Sequence, residues 1–156
     1  MTALGARTFR DTYAAHTRPE DLESFVAAHF RHEIQAAALR DLTQQYLIAQ
    51  LGGAAAGFAL LCDGAGGPGV AGKRPLMLAQ LYVDRPHIGT GVGAALMRRC
   101  LELGRVGAHD IIWLTVWERN TRAIGFYARW GFTHVGEMPF EFGRDLHRDL
   151  VLALGL

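Results

Sequence analysis

At 156 residues the chain has the size of one ordinary domain, and its net charge of +1 lacks the strong basic excess of a dedicated nucleic-acid surface. Half of its residues are hydrophobic and a fifth are charged, which is enough for one sizeable core. No apolar run reaches the ~18 residues of a membrane span, and the opening MTALGARTFR has no hydrophobic signal segment, so we expect a soluble cytoplasmic protein without a membrane partner. Its two cysteines, Cys62 and Cys100, have neither CxxC nor zinc-like spacing and read as free buried thiols.

In chain order, GARTFRDTYAAH (5–16) reads as a short helix and RPEDLESFVAAHFRHEIQAAAL (18–39) as one longer helix, with Pro19 near its first turn. QQYLIAQL (44–51) and AGFALLCD (56–63) are strands joined by a hairpin signal at GGAA. DGAGGPGVAGKR (63–74) is expected to be a mobile surface loop. LMLAQLYV (76–83) is a strand, followed by HIGTGVGAAL (87–96) and the helix GAALMRRCLELGRVG (93–107), with Leu96, Met97, Cys100 and Leu101 on one face. DIIWLTV (110–116) is a buried strand. NTRAIGFYARWGF (120–132) is a helix closed by Gly131, on which Phe126 and Trp130, four apart, serve the core while Tyr127 points elsewhere. THVGEMPFEF (133–142) and HRDLVLAL (147–154) are closing strands around a turn at Gly143. One α/β domain spanning 1–156 accounts for this order.

Gly89, Gly91 and Gly93 occupy every second position between a strand and a helix. Such a turn sets free N–H groups at the positive end of a helix, where glycine lets an anion reach them, and phosphate is the natural ligand. Gly89-x-Gly91-x-x-Ala94 formally matches a dinucleotide fingerprint, but Asp110, at the ribose-acid distance, opens its strand instead of ending it, and a hairpin meander comes first. No Gly-Lys-Ser/Thr of a Walker loop is present.

LYVDRPHIGTGVGAALM (81–97) together with VWERNTRAIGFYARWGF (116–132) resembles the GNAT superfamily of N-acetyltransferases. The family's Gln/Arg-x-x-Gly-x-Gly/Ala acyl-CoA motif follows a central strand, and its second motif, Asn-x-x-Ala-x-x-Phe-Tyr-x-x-x-Gly-Phe, is met in full by Asn120, Ala123, Phe126, Tyr127, Gly131 and Phe132. Within the superfamily the chain looks most like the bacterial spermidine/spermine acetyltransferase-like subgroup. The resemblance implies an α/β fold with a mixed, mostly antiparallel central sheet, splayed between its middle strands and flanked by helices. Members of the family open with a β-strand, whereas this sequence enters almost directly into RTFRDTY, so we expect either that the first edge strand is missing or that the true start lies upstream.

It also implies acetyl-CoA as co-substrate, with no metal. Its diphosphate would lie on Ile88, Gly89, Thr90, Gly91, Val92, Gly93 and Ala94, and its pantetheine along Leu81, Tyr82 and Val83. Asn120, Ala123, Tyr127 and Arg129 would complete the site. Ile88 stands where the motif has Gln or Arg, so backbone donors and Arg85, Arg98 or Arg129 would carry the charge. Tyr127 matches the family's general-acid tyrosine, and Asn120 both an N-cap and a cofactor-binding asparagine. Many relatives carry a glutamate base just before LYV, but here LMLAQ holds no acid and Gln80 cannot take a proton. Glu118, Glu137 and Glu141 are candidates, Glu118 first among them, but a water route to solvent, which requires no single carboxylate, is preferred.

The acceptor would be a small-molecule or peptide amine bound between the N-terminal helices and the last hairpin. A polyamine needs several converging carboxylates, and Glu20, Asp21, Glu23, Glu33, Glu137, Glu141, Asp145 and Asp149 are available. His29 and His32 lack a third metal ligand and read as surface or packing residues. Many relatives pair as homodimers. An acyl-CoA sensor without turnover is the alternative, and an NAD-type dehydrogenase a third reading that the strand order disfavours.

Overall fold

The computed structural model describes residues 2–14, 16–142 and 145–156. Three helices, α1 (Thr2–Tyr13), α2 (Pro19–His29) and α3 (His32–Ala38), precede the hairpin β1 (Gln44–Leu51) and β2 (Ala54–Asp63). β3 (Pro75–Val83), α4 (Val92–Val106), β4 (Ile111–Trp117) and α5 (Thr121–Arg129) follow, then β5 (Thr133–Phe142) and β6 (Asp145–Gly155). The strands form one sheet in the order β1-β2-β3-β4-β6-β5, in which only β3 and β4 run parallel. The first described element is α1. A dinucleotide-binding fold needs a mainly parallel sheet, so this topology excludes the dehydrogenase reading.

Alternation along the central strands builds cores on both faces. Ile112, Leu114 and Leu152 meet Leu96, Met97, Cys100 and Leu101 of α4, the face expected from the sequence. Each such side chain contributes about 1.5–3 kcal/mol by leaving water. On the other face Phe9, Leu22, Val26 and Phe30 pack α1 and α2 together, while Trp113, Val151 and Ala153 lie beside Val70 of the 63–74 loop. Two bidentate ion pairs fix α1: Arg7 to Asp84 at 2.8 and 3.0 Å, at the end of β3, and Arg10 to Glu23 of α2 at 2.6 and 2.7 Å.

Three expectations are corrected, and a fourth, the closure of α5 by Gly131, is met. The long helix over 18–39 is broken into α2 and α3, because Phe30 leaves helical dihedrals (φ −109°, ψ 38°) as its ring turns into the core against Phe9. On α5 it is Tyr127 that is buried, 8% exposed, while Phe126 and Trp130 are half-buried against the same core. Helix α5 ends at Arg129, and Gly131 follows it in the left-handed region at φ +90°, closing the last turn with its N–H on Ala128 O. The 63–74 loop is laid onto the sheet instead of standing free. A Cβ on Gly67 would meet the Trp113 ring, one on Gly69 the carbonyl of Val135, and one on Gly136 the carbonyl of Pro68. Val135 is the unpaired residue of a bulge in β5, which presents that carbonyl to the loop. The turn expected at Gly143 lies outside the described residues.

Gly69→Ala should therefore destabilise the fold by about 1–3 kcal/mol, since the added methyl overpacks a backbone contact at positive φ. Gly64→Ala, with open space around it, should be near neutral. Urea unfolding of both variants checks this, and equal midpoints would mean that the loop does not rest on β5.

Candidate active site

The two parallel strands pair over only three rungs, Pro75–Ile111, Leu76–Ile112 and Met77–Trp113. Beyond Met77 they part. In the β2–β3 register Leu60 opposes Gln80 and Leu61 opposes Leu78, so Ala79 is an extra residue that bends β3 at that point. The separated strands border a cavity of about 580 Å³. Leu81, Tyr82 and Val83 line one side of it, and Thr115, Val116 and Trp117 the other.

One end of the cavity is the glycine turn. After a short 3₁₀ turn at Arg85–His87, Gly89 and Gly91 take φ +84° and +93°, and Gly91 is the N-cap of α4. These two positions need glycine. Gly93 does not, since a Cβ there would make ordinary contact with Val83 at 3.4 Å. Nothing lies within 4 Å of the place a Cβ would take on Gly89 or Gly91, so the backbone is open on that side. Val92, Gly93 and Ala94 form the first turn of α4, whose N–H groups have no carbonyl within the helix. Thr90 differs: its N–H and hydroxyl both go to His87 O, at 3.3 and 2.7 Å. Ile88, Gly89, Gly91, Gly93 and Ala94 line the cavity; Thr90 and the core residue Val92 do not. Arg85, Arg122 and Arg129 add positive charge there, whereas Arg98 stays outside.

Helix α5 supplies one wall. Asn120 caps it, its Oδ1 accepting from Ala123 N–H at 3.1 Å, and both residues line the cavity. Tyr127 lines it too, while its ring packs edge-on against Phe126 and Phe132. Burial, then the neighbouring Tyr82 and Cys100, push its phenol well above the ordinary value of 10, so the hydroxyl keeps its proton throughout the neutral range.

The opposite end is aromatic and holds one buried carboxylate. Phe9 and Phe25 stack at 4.6 Å, Phe140 meets Phe25 edge-on at 6.0 Å, and Tyr13 lies 5.6 Å from Trp117. Asp149, on β6 between β4 and β5, is 9% exposed and faces this space. Desolvation raises its pKa, partly offset by a hydrogen bond with Thr115 and the charge of His147. Its Oδ1 and the Oε1 of Gln80 are buried without hydrogen-bond partners among the described residues.

Residues 7–132 match the Acetyltransferase (GNAT) family. The chain belongs to that family. It is an acetyltransferase, and an uncharacterized N-acetyltransferase of Mycobacterium tuberculosis is 32% identical to it over 152 residues, 97% of this chain and 93% of the relative. A probable spermine N(1)-acetyltransferase of Bacillus subtilis subsp. natto is 27% identical over 74 residues, 47% of this chain and 49% of its own. The crystal structure of PaiA N-acetyltransferase from Thermoplasma acidophilum in complex with coenzyme A has the same fold, with a TM-score of 0.79 at 18% identity, covering 99% of this chain and 90% of that one.

In this acetyltransferase the expected base, Glu118, lies elsewhere. Its carboxylate accepts from Arg148 Nε at 2.8 Å and it does not line the cavity; Glu137 shares the same arginine at 3.3 Å. Glu23 is tied to Arg10. Asp110, once a ribose candidate, accepts from the Lys73 and Arg74 N–H groups at 2.6 and 3.1 Å and so holds the end of the 63–74 loop. Of the carboxylates named for an acceptor pocket whose side chains are described, Asp149 lines the cavity, joined by Asp11 of α1; the side chain of Asp145 lies outside the described ones. Among the described residues no group of three or more His, Cys, Asp or Glu side chains could hold a metal; His29 stacks on Phe25 at 3.9 Å.

Asn120→Ala should cost about 1 kcal/mol of stability through the lost cap, and Asn120→Ser should restore most of it. Denaturant midpoints of the two variants check this. Equal loss in both would remove capping from the role of Asn120.

Proposed function

We propose that the chain transfers the acetyl group of acetyl-CoA to a primary amine, by direct attack within a complex of enzyme and both substrates. One observation carries the reading: a single cavity runs from the amides of a helix N-terminus, through the opening between β3 and β4, to a far end with a buried carboxylate. A diphosphate suits the first end, where backbone donors, the helix dipole and three arginines meet. Isoleucine at 88 does not disturb this fit, because the donors are main-chain groups. A pantetheine arm suits the opening, where β3 beyond Met77 lacks a partner on its β4 side and can accept one as an added strand would.

The chemistry follows from this arrangement. A neutral amine nitrogen attacks the thioester carbonyl, the C–N bond forms, and negative charge develops on the carbonyl oxygen. Backbone N–H groups on the free side of β3, held rigid by the sheet, are placed to receive that charge in a water-poor cleft. The intermediate collapses with loss of the C–S bond, and the Tyr127 hydroxyl donates to the leaving sulfur. Tyr127 suits this because burial keeps it neutral, and the same dry surroundings raise the proton affinity of the thiolate beside it.

Acetyl-CoA should raise the melting temperature of the protein, and Gly91→Asp should abolish that shift by filling the open side of the turn and adding negative charge there. An undiminished shift in the variant would remove the diphosphate from this turn. Tyr127→Phe should lower kcat by about 10²-fold or more while the Kd for acetyl-CoA stays near that of the parent. Thiol release during turnover and calorimetric binding measure the two. Equal loss of both would make Tyr127 a packing residue only.

A further inference from the structure

Resting on the acetyltransferase reading, we infer that the far end of the cavity is an acceptor site for a monoamine with an apolar body, and that Asp149 binds its ammonium group and takes its proton. Three observations carry this. First, Asp149 Oδ1 is buried, lacks a hydrogen-bond partner among the described residues, and belongs to a residue lining the cavity. A buried carboxylate oxygen left without a donor is costly unless a ligand supplies one. Second, the space in front of it is bounded by rings, Phe9, Tyr13, Phe25, Trp117 and Phe140, that suit an apolar body and attract a cation through their faces. Third, among the described residues the cavity has no second buried carboxylate for a second ammonium. Asp11 is exposed, and Glu23 and Glu137 are held by arginines.

The groups facing Asp149 leave desolvation as the largest effect on it. A hydrogen bond with Thr115 of β4 and the charge of His147 of β6 favour its ionised form, while Tyr13 of α1 and Tyr82 of β3 stay neutral, both pushed upward by burial. The carboxyl is itself raised by desolvation, which brings it nearer the proton affinity an amine requires of its base. In the balanced step the ammonium R–NH3+ gives one proton to Asp149, and the neutral nitrogen then forms the C–N bond. On collapse the C–S bond breaks and Tyr127 gives its proton to sulfur. The nitrogen's second proton returns to Tyr127, and Asp149 releases its own to solvent. The sum is an amide, a thiol and one proton.

The test is a kcat/KM panel with phenethylamine, n-butylamine and spermidine, run on the parent, Asp149→Asn and Phe140→Ala, with the acetyl-CoA melting shift measured in each. The parent should favour phenethylamine over spermidine by at least about tenfold, since a second ammonium would be buried without a partner. Asp149→Asn should raise the amine KM and lower kcat, cutting kcat/KM for phenethylamine by about 10²-fold, with the acetyl-CoA shift retained. Phe140→Ala should narrow the gap between phenethylamine and n-butylamine, and it decides the matter if Asp149→Asn does not fold. Preference for spermidine, parent-like turnover by folded Asp149→Asn, or an unchanged gap in Phe140→Ala would overturn the inference. So would an acetyl-CoA shift without turnover of any amine. Loss of that shift in the parent would instead overturn the acetyltransferase reading beneath it.

Discussion

The three-rung limit on pairing between β3 and β4 is the constraint on which the site depends. Two parallel strands in a sheet normally satisfy each other's backbone along their whole length. Here the extra residue at Ala79 turns β3 away after Met77, and the main-chain groups beyond it face a cavity. The rest of the machinery is placed by that divergence. Helix α4 starts from the end of one parting strand and α5 from the end of the other, so the turn at Gly89–Gly91 and the cap at Asn120 border the same space. The paired ends of the strands and α4 bury Leu76, Ile112, Met97 and Cys100 in one core cluster.

The two ends of the cavity have opposite electrostatic character. The helix N-terminus and three arginines give one end a positive character that suits an anion. The other holds a buried carboxylate among aromatic rings, a site for a cation with an apolar body. Tyr127 lies between these functions and also belongs to the core, so its hydroxyl is set by packing as firmly as a strand residue would be. Arg7 on Asp84 joins the two ends, because it ties α1, a wall of the aromatic end, to the start of the glycine turn. The guanidinium holds the Asp84 carboxyl below its usual range, which keeps the pair ionised at neutral pH.

Much of this was legible in the sequence where local chemistry decides the outcome. β1 and β5 run over the residues that the alternating patterns mark, and the buried face of α4 is the one its spacing gives. Asn120, Ala123 and Tyr127 meet at one wall as their motif implies. The sequence was silent where long-range packing decides. Phe30 breaks a helix that propensity alone would continue, because its ring is drawn toward Phe9. The glycines of the 63–74 loop read as flexibility but serve close approach to Trp113 and Val135. Thr90 faces its own turn and not the cavity. Asp149 was one carboxylate among eight, yet it shares strand parity with the buried Val151 and Ala153. Both faces of β6 are buried, since Leu152 packs on the opposite side, so the available signal was an acid at the head of an apolar run and not its parity.

The central claim is that the turn at Gly89–Ala94 and the parting of β3 from β4 together hold a CoA thioester. A crystal structure with acetyl-CoA bound tests it most directly. The account predicts diphosphate oxygens about 3 Å from the first-turn amides of α4, with the pantetheine lying along Leu81–Val83. Acetyl-CoA bound away from that turn, or β3 and β4 closed against each other with the thioester outside, would contradict it.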